Sequence, residues 1–162
     1  MNKLMDTKEL APLIQKTSIY GSRFEASRAK KTYKLCNKYG LELSLNVALS
    51  CIVSRDAARV LIYSTKQEWR YLGMSVDYVI YDFDTGQIVL AIEYQGWHHG
   101  KYNVQELDAL KKRLLKIVNI ELIEIWPDTL QKKFPERFKS KKSEKTVFHE
   151  IEEKLKAYRN EQ

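Results

Sequence analysis

The clearest rhythm of apolar and polar positions lies in the middle of the chain. Residues 76–81 (VDYVIY) and 87–94 (QIVLAIEY) are dominated by β-branched and aromatic side chains, which fit a pleated, half-buried surface. Between them stands Asp82-Phe83-Asp84-Thr85-Gly86, and a five-residue turn with a glycine between two such runs predicts a β-hairpin. The second arm, Ile88-Val89-Leu90-Ala91-Ile92, is apolar on both faces, the pattern of a central strand covered on both sides. Upstream, residues 41–53 alternate, with Leu41, Leu43, Leu45 and Val47 on one face, and predict a strand. Residues 120–126 predict a further strand, ended by Pro127-Asp128.

Helical periodicity accounts for most of the rest. Residues 7–16 read as a short opening helix. Ser22-Arg23-Phe24-Glu25 has the Ser-x-x-Glu form of a capping box, in which each side chain satisfies the other residue's orphan amide. It predicts a helix running to about Tyr39, with Gly40 at its C′ position. Residues 104–118 are helical, and Ser143 caps a last amphipathic helix reaching about Arg159. Residues 59–63 fit a short strand or a loop, and 65–72 are ambiguous. The order is helix, three strands, helix, strand, helix. It predicts an α/β or α+β sandwich around a central mixed sheet.

Composition narrows the class. A chain of 162 residues, 44% hydrophobic and 30% charged, amounts to one domain with room for a helical appendage. We divide it into an extension at 1–20, a core at 21–128, and a basic segment with the C-terminal helix at 129–162. Six glycines and three prolines argue against collagenous or largely disordered chains. The apolar runs fall short of the roughly 18 residues of a membrane span, and charge interrupts the N-terminus before a signal's apolar stretch can form. Cys36 and Cys51 have no metal-ligand spacing and suit free thiols in a reducing cytosol. The expectation is a cytoplasmic protein without a membrane partner.

Charge adds a partner class. Lys and Arg number 28 against 21 Asp and Glu, a net charge of +7. Residues 131–145 hold seven of the bases, Lys132, Lys133, Arg137, Lys139, Lys141, Lys142 and Lys145, with Phe134 and Phe138 interleaved. A second cluster, Arg28, Lys30, Lys31 and Lys34, lies on the first long helix. Such groups neutralise phosphates and dock on a polyanion backbone; the plainer reading of 131–145 is a solvated linker.

Candidate chemistry converges on the two hairpin strands. Asp77 begins one, and Glu93 closes the apolar run of the other. A carboxylate at the end of a buried strand is costly unless something pairs with it. A divalent cation answers the need of two such groups; a cap or a salt bridge answers the need of one. On a wheel of about 100° per residue, Leu107, Leu110, Leu114, Leu115, Ile117 and Val118 form one stripe, and Lys111 falls inside it. Lys112, Arg113 and Lys116 fall on the opposite face. A lysine turned toward the core either snorkels to water or finds carboxylates, with Asp77 and Glu93 the natural partners. Asp108 stands at the stripe's edge, placed to orient Lys111 or a histidine. The intervening loop carries His98 and His99 between Gly96 and Gly100; they are either surface polar residues or a source of general acid–base chemistry. No HExxH, paired CxxC, P-loop, GxGxxG or GxSxG occurs, so zinc protease, nucleotide-loop and serine hydrolase readings lack their motifs.

Asp77 on a hairpin strand followed by Ile92-Glu93-Tyr94-Gln95 resembles the PD-(D/E)XK nuclease superfamily, with Gln95 in its lysine position. Ile92-Glu93-Tyr94-Gln95-Gly96-Trp97-His98-His99 and then Asp108-x-x-Lys111 is similar to the very-short-patch-repair-like branch. The resemblance covers roughly residues 20–126 and is specific from Val76 to Trp126. It implies a restriction-endonuclease-like α/β fold, a central mixed β-sheet flanked by helices. It implies Asp77, Glu93 and the Tyr94 carbonyl as ligands of Mg²⁺ or Mn²⁺. Lys111 would be the lysine moved onto the helix, acting with Gln95; His99 matches the family histidine, with His98 beside it. Glu25 sits where many members carry an extra acid. The implied activity is metal-dependent hydrolysis of phosphodiesters, most readily in DNA, with the basic residues holding the backbone. A homodimer or a partner protein would supply specificity. The alternative is a non-catalytic nucleic-acid-binding module or subunit on a nuclease-like fold.

Overall fold

A computed structural model describes residues 23–95 and 102–162, with side chains from Ala26 onward in the first stretch and from Glu106 onward in the second. The expected helix over 7–16, the Ser22 cap, His98, His99 and the side chain of Glu25 lie outside the described residues.

The first helix, α1 (Arg23–Lys38), stops where its sequence says it should. Gly40 adopts φ +63°, a left-handed conformation that carries no Cβ penalty in glycine. Arg159, near the end of the chain, donates to the Tyr39 carbonyl at 2.6 Å and to the Gly40 carbonyl, so a distant side chain satisfies the helix's last acceptors.

Strand β1 (Glu42–Ala48) follows, and here the expected strand over 41–53 is corrected. After Val47 the alternation fails, and Leu49 and Val53 stand four apart, one helical turn. Leu49–Ile52 accordingly form a single turn, α2, with Leu49 and Val53 both buried. Two more helices occupy the ambiguous stretch. α3 (Arg55–Ala58) is capped by Ser54, and α4 (Thr65–Leu72) by Ser64, whose hydroxyl accepts from the Gln67 amide at 3.3 Å. No strand forms at 59–63, which turns between them.

The hairpin forms as expected from β2 (Ser75–Tyr81) and β3 (Ile88–Tyr94). Asp82 organises its turn: Oδ1 accepts from the amides of Asp84 and Thr85 at 3.0 and 3.2 Å, and Gly86 sits at φ +69°. These backbone donors hold the Asp82 carboxyl below its usual range, helped by Arg159 at 2.7 Å. Helix α5 (Tyr102–Ile117) then crosses to β4 (Leu122–Ile125). The supposed linker is instead two short helices, α6 (Asp128–Lys133) and α7 (Pro135–Phe138), before α8 (Glu144–Asn160), capped by Ser143.

The sheet runs β1-β2-β3-β4, antiparallel across the first three strands and parallel between β3 and β4. Each face carries its own core. On one, Ile80, Leu90, Ile92, Ile123 and Ile125 pack against Ala29 and Cys36 of α1 and Val147, Phe148, Ile151 and Leu155 of α8. On the other, Val76, Val79 and Ala91 meet Leu49, Tyr71, Leu114 and Leu115 from α2, α4 and α5. Sheet faces covered by helices on both sides explain why β3 is apolar throughout. Cys36 is a free thiol that burial pushes up to about 12, and Cys51 is free and exposed. Among the described residues no helix is long and apolar enough to cross a membrane.

Candidate active site

Three acidic residues stand in a row across the sheet. In the parallel ladder Glu93 of β3 is registered with Glu124 of β4. The antiparallel ladder runs to Tyr78 opposite Ile92, and one further step sets Asp77 opposite Glu93. Side chains alternate along a strand, so Glu93 shares the face of Ala91, the face that α5 covers.

Helix α5 brings the counter-charges. Lys111 lies within its apolar stripe and is buried, and its Nζ stands 2.6 Å from Glu93 Oε1. The lysine does not snorkel to water; it finds a carboxylate, and that carboxylate is Glu93. Its neighbour Lys112 reaches Glu124 Oε2 at 2.8 Å. Gln95 is also buried and donates from Nε2 to Glu124 Oε1 at 2.8 Å. Asp77 Oδ2 accepts the Tyr94 amide at 2.7 Å, which ties the acid of one strand to the end of the next.

Two acceptor oxygens are left over. Glu93 Oε2 and Gln95 Oε1 are buried and have no hydrogen-bond partner among the described residues, although such groups are paired in most folded proteins. Burial raises the pKa of the Glu93 carboxyl, the charge of Asp77 raises it further, and Lys111 pulls against both. Asp108, half-buried on α5, adds to the upward push. The site therefore holds more negative charge than Lys111 alone offsets. Among the described residues no group of three or more His, Cys, Asp or Glu could hold a metal ion. Mg²⁺ demands less, since one or two carboxylates with waters and substrate phosphate satisfy it. Asp77 and Glu93 with the orphaned oxygens fit that requirement.

The structure brings together Asp77, Glu93, Tyr94, Gln95, Asp108 and Lys111. Glu124 was not singled out from the sequence. The signal was present, since it is the one acid in the strand Leu122–Ile125, but its place beside Glu93 depends on a parallel register that no local pattern encodes.

The basic residues divide into two groups. Arg28 is turned inward: it pairs with Glu144 at 2.6 Å and stacks over the Tyr94 ring, 4.9 Å from its centroid. Glu144 also accepts the Asp128 amide at 3.2 Å, and Asp128 accepts the Glu144 amide at 2.8 Å, so Arg28 clasps the starts of α6 and α8. Lys30, Lys132, Lys133, Arg137 and Lys139 are exposed. Lys31 lies over Phe148, Lys141 over Trp126, and Lys142 pairs with Glu150.

No curated protein and no solved structure matches this chain. Residues 34–141 match a family model, a span that runs from α1 through the acidic row and into the basic segment. The chain belongs to the family described as Protein of unknown function (DUF2726).

Proposed function

We propose that this protein is a metal-dependent nuclease on a restriction-endonuclease-like fold, hydrolysing phosphodiester bonds, most readily in DNA. The observation that carries the reading is the buried Lys111–Glu93 pair beside Asp77, with Glu93 Oε2 left unpartnered among the described residues. A purely structural ion pair would satisfy its remaining lone pairs.

Asp77, Glu93 and the Tyr94 carbonyl would hold Mg²⁺ or Mn²⁺. Bound there, the cation supplies Lewis-acid stabilisation of the phosphorane-like transition state and lowers the pKa of a water. The chain's own groups do the rest. Glu124 fixes the Gln95 amide, leaving Gln95 Oε1 as an acceptor for a water's proton. The Lys111 ammonium offsets negative charge that develops at the phosphate. The exposed bases of 131–145 would hold the backbone without reading sequence.

The second reading, a non-catalytic nucleic-acid-binding module, is favoured by Gln95 in the lysine position and by a lysine already engaged with its acid. One experiment separates the two. Plasmid, linear, single-stranded and branched DNA are incubated with Mg²⁺, Mn²⁺ or EDTA, using the wild type, Glu93→Gln and Lys111→Ala. The nuclease reading expects metal-dependent cleavage that both variants lose while DNA binding persists. Binding by the wild type without cleavage under any metal would give the protein to the second reading.

A further inference from the structure

A groove of about 330 Å³ opens beside the acidic row, between α5, β4 and α7. Its walls include Glu124 and Lys112 of the row's own network, and Trp126, Arg137, Phe138 and Lys141 from the strand end and the basic segment. That volume lies in the range of small-molecule sites. We infer that this groove binds one nucleotide unit of a nucleic-acid strand, its base on Trp126 and its phosphate on Arg137 and Lys141. The inference rests on the nucleic-acid substrate of the reading above, not on its chemistry.

Three features point to that ligand. Trp126 is backed by Phe138, ring centroids 5.2 Å apart and tilted by 42°, so the indole is held as a platform by a buried residue. Over Trp126, 4.9 Å from its centroid, sits the ammonium of Lys141, an exposed side chain free to exchange a π-face for a phosphate. Arg137 lies over Phe138 at 5.6 Å in the same manner. An aromatic platform with cations at its rim matches both halves of a nucleotide, and base stacking on such a ring is sequence-tolerant. The carboxylates do not defeat the site: Glu124 is neutralised by Lys112, and Asp108 is outnumbered by the two cations opposite.

Because Glu124 joins the groove to Gln95 and Glu93, a nucleotide seated here would carry the adjoining phosphodiester toward the acidic row. The groove thus selects a strand whose base is unstacked and able to leave its helix, a single strand or a frayed end.

The test is binding in EDTA, where nothing can be cut, of a labelled single-stranded oligothymidylate and of one bearing 2-aminopurine. The wild type is compared with Arg137→Ala, Lys141→Ala and Trp126→Leu. Lys66→Ala, an exposed charge on α4 at the other flank of α5, controls for charge alone. Stacking is worth about 1–3 kcal/mol per base, so Trp126→Leu should weaken binding by about tenfold and abolish 2-aminopurine quenching. Arg137→Ala and Lys141→Ala should weaken it several-fold more than Lys66→Ala; being surface changes, they keep the test valid if Trp126→Leu does not fold. Equal effects of the three charge removals, or quenching that survives in folded Trp126→Leu, would overturn the groove while leaving cleavage by Glu93 untouched. Conversely, weakened binding in a protein that never cuts would retain the groove and remove the nuclease.

Discussion

Lys111 and Glu93 meet through one 2.6 Å contact, with side chains only 9% and 7% exposed. Removing one partner of a buried pair leaves an uncompensated charge, at a typical cost of about 3–5 kcal/mol. Lys111→Met should therefore lower unfolding stability in urea by about 3 kcal/mol. Adding Glu93→Gln to it should restore much of the loss, because the orphaned carboxylate is then gone. A double variant no more stable than Lys111→Met alone would show that an uncompensated Glu93 charge is not the source of the loss.

The same pair gives the protein a pH signature. Burial and the nearby charge of Asp77 raise the Glu93 carboxyl above its ordinary 4.5, so the folded state holds this proton more tightly than the unfolded chain does. The group's contribution to stability is complete below pH 4.5 and is lost as pH rises through the higher folded value. Wild type should lose stability relative to Glu93→Gln across that window, and the difference should level off above it. Denaturation midpoints of the two proteins across mildly acidic to neutral pH measure it directly. A flat difference would mean that Glu93 titrates alike in both states.

Much of this arrangement is legible in the chain. The hairpin follows from two β-rich runs around Asp82–Gly86, and Lys111 betrays itself as the one lysine inside an apolar stripe. The failures have physical causes. The strand over 41–53 was overextended because a helical turn uses Leu49 and Val53 as readily as a strand would, and only the packing of Tyr71, which donates to the Val53 carbonyl, decides between them. Arg28 reads as a phosphate ligand because charge alone does not reveal that Glu144, distant in sequence, lies beside it. The place of Glu124 is illegible for the same reason, since register is a property of two strands together.

Metal binding should be visible without any cleavage. A ligand that binds only the folded state at about 100 times its Kd adds about 2.7 kcal/mol. Mn²⁺ should accordingly raise the melting temperature of the wild type by several degrees. In Glu93→Gln, which removes one proposed ligand, the rise should be much smaller, and EDTA should reverse it in both. A rise that is equal in the two proteins would place the ion elsewhere on the surface.

The basic residues should separate by function. Arg28→Ala breaks a half-buried charged clasp between α1 and α8 and should lower stability by about 1–3 kcal/mol, leaving the salt dependence of DNA binding unchanged. Lys132 and Lys139 are exposed and carry no ion pair to an acid among those found in the described residues. Substituting each by alanine should barely move stability. Each should instead weaken binding evenly across sequences and reduce the slope of log affinity against log salt by about 1. The contrast is informative because every one of these changes removes a single positive charge. If Arg28→Ala lowers the salt slope as much as Lys132→Ala does while the fold stays intact, the arginine leaves Glu144 for phosphate when nucleic acid arrives, and the clasp is part of the binding surface.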